Sequence, residues 1–260
     1  MIYPENATTN ARLALACLDL TSLNDTDTEA DIAKLCERAQ SPFGPVAAVC
    51  VWPRLAAFAR KQLPLNIAVA AVANFPDGSA NVERAVREVG TIVQSGAQEV
   101  DVVLPYRTLM AGDERSVVAL LAAVRQVSKG LRLKVILETG MLPDDATVAR
   151  ACSLSLDAGA DFLKTSTGKT PISATSQAAR ILLGAIAADP TRSTQVGFKP
   201  SGGIRTVADA AVYIALTEEL LGKAALTPQR FRIGASSILS DIESILGGHA
   251  APTAPPAGTY

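Results

Sequence analysis

Short runs of β-branched and small apolar residues alternate eight times with longer amphipathic stretches along this 260-residue chain. The strand-like runs cover residues 13–21, 46–52, 67–75, 99–105, 133–140, 162–167, 196–202 and 230–235. The helical patterns cover about 29–40, 53–62, 81–96, 113–129, 143–158, 175–188, 207–221 and 236–246. Strands that alternate with helices pair in parallel, because a crossover helix returns the chain to the same end of the sheet. Eight such units in about 250 residues fit a single-domain (β/α)8 barrel. A doubly wound open sheet shares the alternation. No GxGxxG follows the first strand, which weakens the dinucleotide-binding form of that alternative. The barrel is expected over residues 1–248. Residues 249–260 read as a flexible tail, rich in Gly, Ala and Pro and ending in Tyr260.

The hydrophobic share is 48%, ample for a core, and the net charge of −1 has no basic block behind it. Nucleic acid is therefore not an expected partner. The N-terminus lacks the basic and apolar regions of a signal peptide, and no apolar run approaches the ~18 residues that span a bilayer. Cys17, Cys36, Cys50 and Cys152 form no CxxC pair and read as reduced thiols of a cytoplasmic protein. The one histidine, His249, lies in the tail. That argues against a histidine-rich metal site and against a Ser-His-Asp triad in the folded body. No metal and no organic cofactor are expected.

Two lysines interrupt runs that otherwise read as buried strands: Lys164 in ADFLKTST and Lys199 in VGFKPSGG. A buried ammonium is costly unless it is paired or gives up its proton. Inside a barrel, alternate residues point inward and reactive groups gather at the C-terminal ends of the strands. By that parity Lys164 shares a face with Phe162 and Ser166, and Lys199 with Gly197 and Ser201. Asp101 shares a face with Val103, and Lys134 with Ile136 and Glu138. Asp101, Lys134, Lys164 and Lys199 could thus converge from four consecutive strands. A lysine with a reference pKa of ~10.4 becomes a nucleophile only when burial or a cationic neighbour lowers that value. A single strand lysine would be read as an ion-pair partner. Two on adjacent strands, with an acid nearby, point to catalysis. Glu138 is expected to pair with an interior lysine.

Three small-residue segments end neighbouring strands: Thr165-Ser166-Thr167-Gly168-Lys169, Ser201-Gly202-Gly203 and Gly234-Ala235-Ser236-Ser237. Each alone is an ordinary turn or cap. Together, at the end where barrels hold phosphate, they predict an anion cradle of backbone N–H groups, hydroxyls and the Lys169 charge.

The segments 19–24 (DLTSLN), 99–112 (EVDVVLPYRTLMAG), 133–140 (LKVILETG), 159–169 (GADFLKTSTGK), 196–205 (VGFKPSGGIR) and 231–237 (FRIGASS) resemble deoxyribose-phosphate aldolase, a class I Schiff-base aldolase family. The likeness runs from the first strand to the last. It implies reversible cleavage of 2-deoxy-D-ribose 5-phosphate to acetaldehyde and D-glyceraldehyde 3-phosphate. By motif match, Lys164 resembles the Schiff-base lysine, Lys199 the neighbour that lowers its pKa, and Asp101 the proton-relay acid, supported by Lys134. Thr167, Gly168, Lys169, Gly202, Gly203, Gly234, Ser236 and Ser237 resemble the phosphate and hydroxyl binders. Tyr260 matches a terminal tyrosine that assists proton transfer in some members. A small-molecule substrate, no membrane partner and a homodimer are the matching expectations. A related lyase for another phosphorylated aldehyde, a non-covalent phosphosugar isomerase or epimerase, and a silent phosphosugar-binding protein remain open. Cys50, late in the second strand, is read either as a packed core thiol or as one facing the site.

Overall fold

The computed structural model describes residues 4–248. Its main sheet holds eight parallel strands: β1 (Leu18–Thr21), β2 (Ala48–Val51), β3 (Ala68–Ala73), β4 (Glu99–Val103), β5 (Arg132–Ile136), β6 (Phe162–Lys164), β7 (Gly197–Lys199) and β8 (Ile233–Ala235). From β1 to β7 each strand pairs with the next in chain order, and β8 pairs with β1. The remaining seam, β7 to β8, is bridged at Phe198–Phe231 and Ser201–Gly234. Backbone bonds cross it from Phe198 N to Arg230 O (2.9 Å) and from Gly234 N to Pro200 O (2.9 Å). The sheet thus meets itself and leaves no open edge, which is the (β/α)8 barrel and not the doubly wound alternative.

Helices cover the outside because their apolar residues recur at helical spacing. Val82–Gln94 buries Ala85, Val89 and Ile92 and presents charged residues outward. Its start is fixed by Asn81, whose side chain accepts from Arg84 N. Glu29–Arg38 and Val207–Leu221 begin with capping boxes, Thr28 with Asp31 and Thr206 with Asp209. Such caps end these βα loops at a set residue, and the βα loops build the mouth of the barrel.

The first expected strand, 13–21, began too early. Pro4–Ala16 is a helix, and β1 starts at Leu18. Ala11, Ala14 and Leu15 are buried at i, i+3 and i+4, against the helices Ile238–Leu246 and Val207–Leu221. An Ala/Leu run carries both patterns, and tertiary contact selects the helical one. The fifth strand stops at Ile136, before Glu138 turns left-handed (φ 53°) into a short 3₁₀ turn, Thr139–Met141.

Inside the barrel, Phe162 fills the axis. A Cβ on Gly197 would lie 2.4 Å from the Phe162 ring, so glycine at that position makes room for it. The Arg132 and Arg232 guanidiniums stand 5.7 and 5.9 Å from the same ring centroid.

Candidate active site

Register sets the charges in layers. Asp101 lies opposite Lys134, Lys164 opposite Lys199, and Glu99 opposite Arg132. Asp101 Oδ2 accepts from both Lys164 Nζ and Lys199 Nζ at 2.8 Å, and its Oδ1 accepts from Lys134 Nζ at 2.7 Å. The side chains predicted to converge do meet, the three lysines on the one carboxylate of Asp101.

Below them the network closes on itself. Lys199 Nζ donates to Asp19 Oδ2 (2.5 Å), and Asp19 Oδ1 accepts from Arg232 (2.5 Å). Arg232 also donates to Glu99 Oε1 (2.6 Å), and Glu99 Oε2 accepts from Lys134 (2.6 Å). The circuit Arg232–Asp19–Lys199–Asp101–Lys134–Glu99 alternates in sign and sums to zero. All six side chains are at most 3% exposed. Lys164 hangs on Asp101 outside this ring, and Arg132, 32% exposed, hangs on Glu99. The ring acids are already matched, so Lys164 is a surplus buried cation.

The electrostatics follow from that count. Burial, the largest influence, lowers the Lys164 pKa; Asp101 opposes it, and the Lys199 charge lowers it further. Burial also works against charge on Lys199, but Asp101 and Asp19 outweigh it and hold the pKa above the ordinary lysine value. Lys134 is likewise held above it, by Asp101 and Glu99. Asp101 resists its own burial through Lys134, Lys164 and Lys199 and stays well below the usual carboxylate range. The two adjacent lysines are thus pushed apart: Lys199 keeps its proton and Lys164 tends to lose it. A neutral amine so placed can attack a carbonyl.

At the C-terminal ends of the strands lies a cavity of about 530 Å³ whose walls include Ser22, Asn24, Gly168, Gly202, Gly203, Ser236 and Ser237. Thr21 also lines it, two residues beyond Asp19 on the inward face of β1. Gly202 and Gly203 adopt φ of 85° and 79°, a region that favours glycine, and a Cβ on Gly202 would lie 2.5 Å from Ser173 Oγ. The loops are laced together. Ser166 Oγ donates to Ser201 O, and Ser201 Oγ donates to Ser166 O, both at 2.5 Å. Ser236 and Ser237 open the helix Ile238–Leu246, whose N-terminus faces this end.

Other expected residues stand elsewhere. Gly234 is a packing position, since a Cβ there would lie 2.7 Å from Ser201 Cβ and 3.0 Å from Lys199 Cε. Thr167 is turned away from the cavity, its hydroxyl donating to Glu138 Oε2 at 2.5 Å. Lys169 Nζ donates to Leu23 O at 2.9 Å and so ties the loop after β6 to the loop after β1. Glu138 does not pair with a lysine. It accepts from Thr167 and Thr170, and burial raises its pKa. Lys164 is not a wall of the cavity and is 3% exposed. Cys50 is fully buried, its thiol pushed up by burial, and it faces the charged cluster from β2. His249 and Tyr260 lie outside the described residues. Asp19, Glu99 and Arg232 were not among the predicted site residues. Each carries a charge at an inward parity position, which is the signal that could have found them. Among the described residues no group of three or more His, Cys, Asp or Glu side chains is placed to hold a metal ion, and no helix is long and apolar enough to cross a membrane.

A closed (β/α)8 barrel with a lysine cluster under a glycine- and serine-lined mouth is the architecture of an aldolase. The sequence matches the DeoC/LacD family aldolases over residues 13–239, and the chain belongs to that family. It is similar to a Coccidioides immitis protein provisionally named a deoxyribose-phosphate aldolase, with 30% identity over 88% of this chain and 85% of that one and a TM-score of 0.77. It is also similar to the tetrameric deoxyribose phosphate aldolase of Aeropyrum pernix, with 26% identity over 92% of this chain and 97% of that one and a TM-score of 0.71. A Toxoplasma gondii structure at 23% identity shares the fold, with a TM-score of 0.87 over 95% of this chain and 98% of that one.

Proposed function

We propose that this aldolase cleaves 2-deoxy-D-ribose 5-phosphate reversibly to acetaldehyde and D-glyceraldehyde 3-phosphate through a Schiff base on Lys164. The observation that carries this reading is the surplus position of Lys164. It shares one Asp101 oxygen with Lys199 while the ring below is already neutral. Removing its proton leaves three buried carboxylates, Asp19, Glu99 and Asp101, facing three buried cations, Lys134, Lys199 and Arg232.

In the proposed reaction the Lys164 amine attacks C1 of the open-chain sugar. Loss of water gives a protonated imine, an electron sink. A base removes the C3 hydroxyl proton, the C2–C3 bond breaks, and its electrons pass to the imine as an enamine. The triose phosphate departs. A proton returns to the enamine carbon, and hydrolysis releases acetaldehyde and the amine. Asp101 serves as the relay acid between Lys164 and Lys199, with Lys134 holding its other oxygen. Tyr260 keeps the role that the resemblance gives it, proton transfer at the enamine carbon. The phosphate is assigned to Gly202, Gly203, Ser236, Ser237 and Gly168, on the cavity wall they share. Thr167 and Lys169 act there by tying the loop after β6.

The proposed setting is the cytoplasm, supported by four free, buried cysteines. A homodimer is the proposed assembly, and sedimentation velocity decides between it and a tetramer like that of the Aeropyrum pernix relative. The function is tested by a coupled assay for triose phosphate. Release from 2-deoxyribose 5-phosphate, abolished by Lys164→Leu, is the expected result. An inactive parent, or an active Lys164→Leu variant, contradicts it.

A further inference from the structure

The closed ring has two halves. Asp101, Lys134 and Lys199 touch or neighbour the proposed nucleophile. Asp19, Glu99 and Arg232 do not, yet they complete the circuit from beneath. Arg232 immediately precedes β8, and Glu99 opens β4, so both lie at the N-terminal end of the strands, one layer below Asp101. This end of a barrel is usually reserved for stability. Here it is joined to the reacting end by unbroken contacts of 2.5–2.8 Å.

We propose that Arg232 and Glu99 are positioning residues for Lys164, holding the ring closed and neutral so that Asp101 is divided among three lysines and Lys164 can shed its proton. The inference rests on the Schiff-base reading. Its logic is a count of charges and contacts. Arg232 occupies one oxygen of Asp19 and reaches both oxygens of Glu99. Without it, Asp19 and Glu99 draw Lys199 and Lys134 toward themselves. Asp101 is then left to Lys164, and the barrel interior carries one more net negative charge. Both changes favour the protonated amine. Without Glu99 the sign reverses. Lys134 turns wholly to Asp101, one negative charge is lost, and the amine sheds its proton more readily. Asp101 on β4, Lys199 on β7, Cys50 on β2 and Glu138 beyond β5 act on Lys164 directly, and Asp19 on β1, Glu99 on β4, Lys134 and Arg132 on β5 and Arg232 before β8 stand behind them in the ring and its branch. Of these only Arg232 and Glu99 change the ring's charge without touching the proposed substrate path or the relay.

The test is the pH dependence of the rate at which acetaldehyde and borohydride form an adduct on Lys164 in the full-length protein. Arg232→Met is expected to move the acid limb up by about one pH unit, and Glu99→Gln to move it down by about as much, since a charge within a few ångströms moves a pKa by ~1–3 units and these act at one remove. The double variant restores neutrality, and its limb is expected to return to within about 0.3 units of the parent, a readout that lost packing alone would not give. If Arg232→Met does not fold, Arg132→Gln reads the same sign with a smaller upward shift. Its side chain is 32% exposed and lies outside the ring, on the wall of a floor cavity of about 680 Å³. Superimposable limbs in all folded variants overturn the inference while leaving the Schiff base intact. No Lys164 adduct in the parent removes the Schiff-base reading and the inference with it.

Discussion

At the floor of the barrel, Glu99 alone meets Arg132, Arg232 and Lys134. At the mouth, the cavity is walled by glycines, hydroxyl side chains and small or aliphatic residues, with Arg205 as its one charged wall among the described residues. The buried floor is saturated: Glu99, Lys134 and Arg232 each have a partner of opposite sign at hydrogen-bond distance. The mouth offers glycine backbone, hydroxyls and a helix N-terminus instead, a setting that suits an anion. Lys164 sits at the boundary, the one buried cation of the interior that the ring does not need. Proximity to an acid is therefore a poor guide to its state. The Asp101 contact at 2.8 Å would ordinarily keep an amine charged, but that carboxylate serves three lysines at once.

Substitutions can break this contrast, and the largest effect belongs to the boundary. Lys199→Leu is expected to reduce turnover of 2-deoxyribose 5-phosphate about a hundred-fold, as general acid–base steps contribute 10²–10⁴-fold. Lys199 lowers the Lys164 pKa, so its loss lets Lys164 hold its proton to higher pH. The acid limb of the pH–rate profile should then move upward, and an unchanged limb would remove Lys199 from the tuning role. Asp101→Asn acts on stability as well. It leaves three lysines around an uncharged amide, and breaking a buried pair costs roughly 3–5 kcal/mol. The Asp101 pKa is depressed in the folded state, so its stabilisation is present above the unfolded carboxyl value of ~3.9 and lost as pH falls. The stability difference between parent and variant, measured by urea unfolding, should therefore narrow on acidification.

At the mouth, Gly202→Ala places a Cβ 2.5 Å from Ser173 Oγ at a φ of 85°. It should raise KM for the phosphorylated sugar about ten-fold with little change in kcat. Unphosphorylated 2-deoxyribose should be far less affected, and equal losses on both sugars would take Gly202 out of the phosphate cradle. On the exposed outer side of the loop after β1, off the cavity wall, Thr28→Ala removes a capping box. It should cost about 1 kcal/mol in thermal or urea unfolding and leave turnover unchanged.

Much of this was legible in the sequence, for a definite reason. Strand parity is a period of two, so one inward residue fixes the others. Lys164 and Phe162, Lys199 and Gly197, and Asp101 with Lys134 all follow from it. The floor was equally available by that rule, since Glu99 is two residues before Asp101 and Arg232 two before Gly234. What hid them was the emphasis on C-terminal strand ends. The mouth was only partly legible because its loops leave the strand period. Thr167 and Gly234 carry the expected residue types, but the turn at Glu138 takes the Thr167 hydroxyl, and the seam between β7 and β8 takes Gly234. The helix Pro4–Ala16 escaped because an Ala/Leu run fits either period until its neighbours are known.

Lys164, and not the lysines the ring holds charged, is the proposed nucleophile. Incubation with acetaldehyde and sodium borohydride, followed by peptide mapping by mass spectrometry, tests it directly. The expected result is one reduced ethyl adduct on Lys164, with Lys134 and Lys199 unmodified. An adduct on either of those residues, or none on Lys164, would contradict the account.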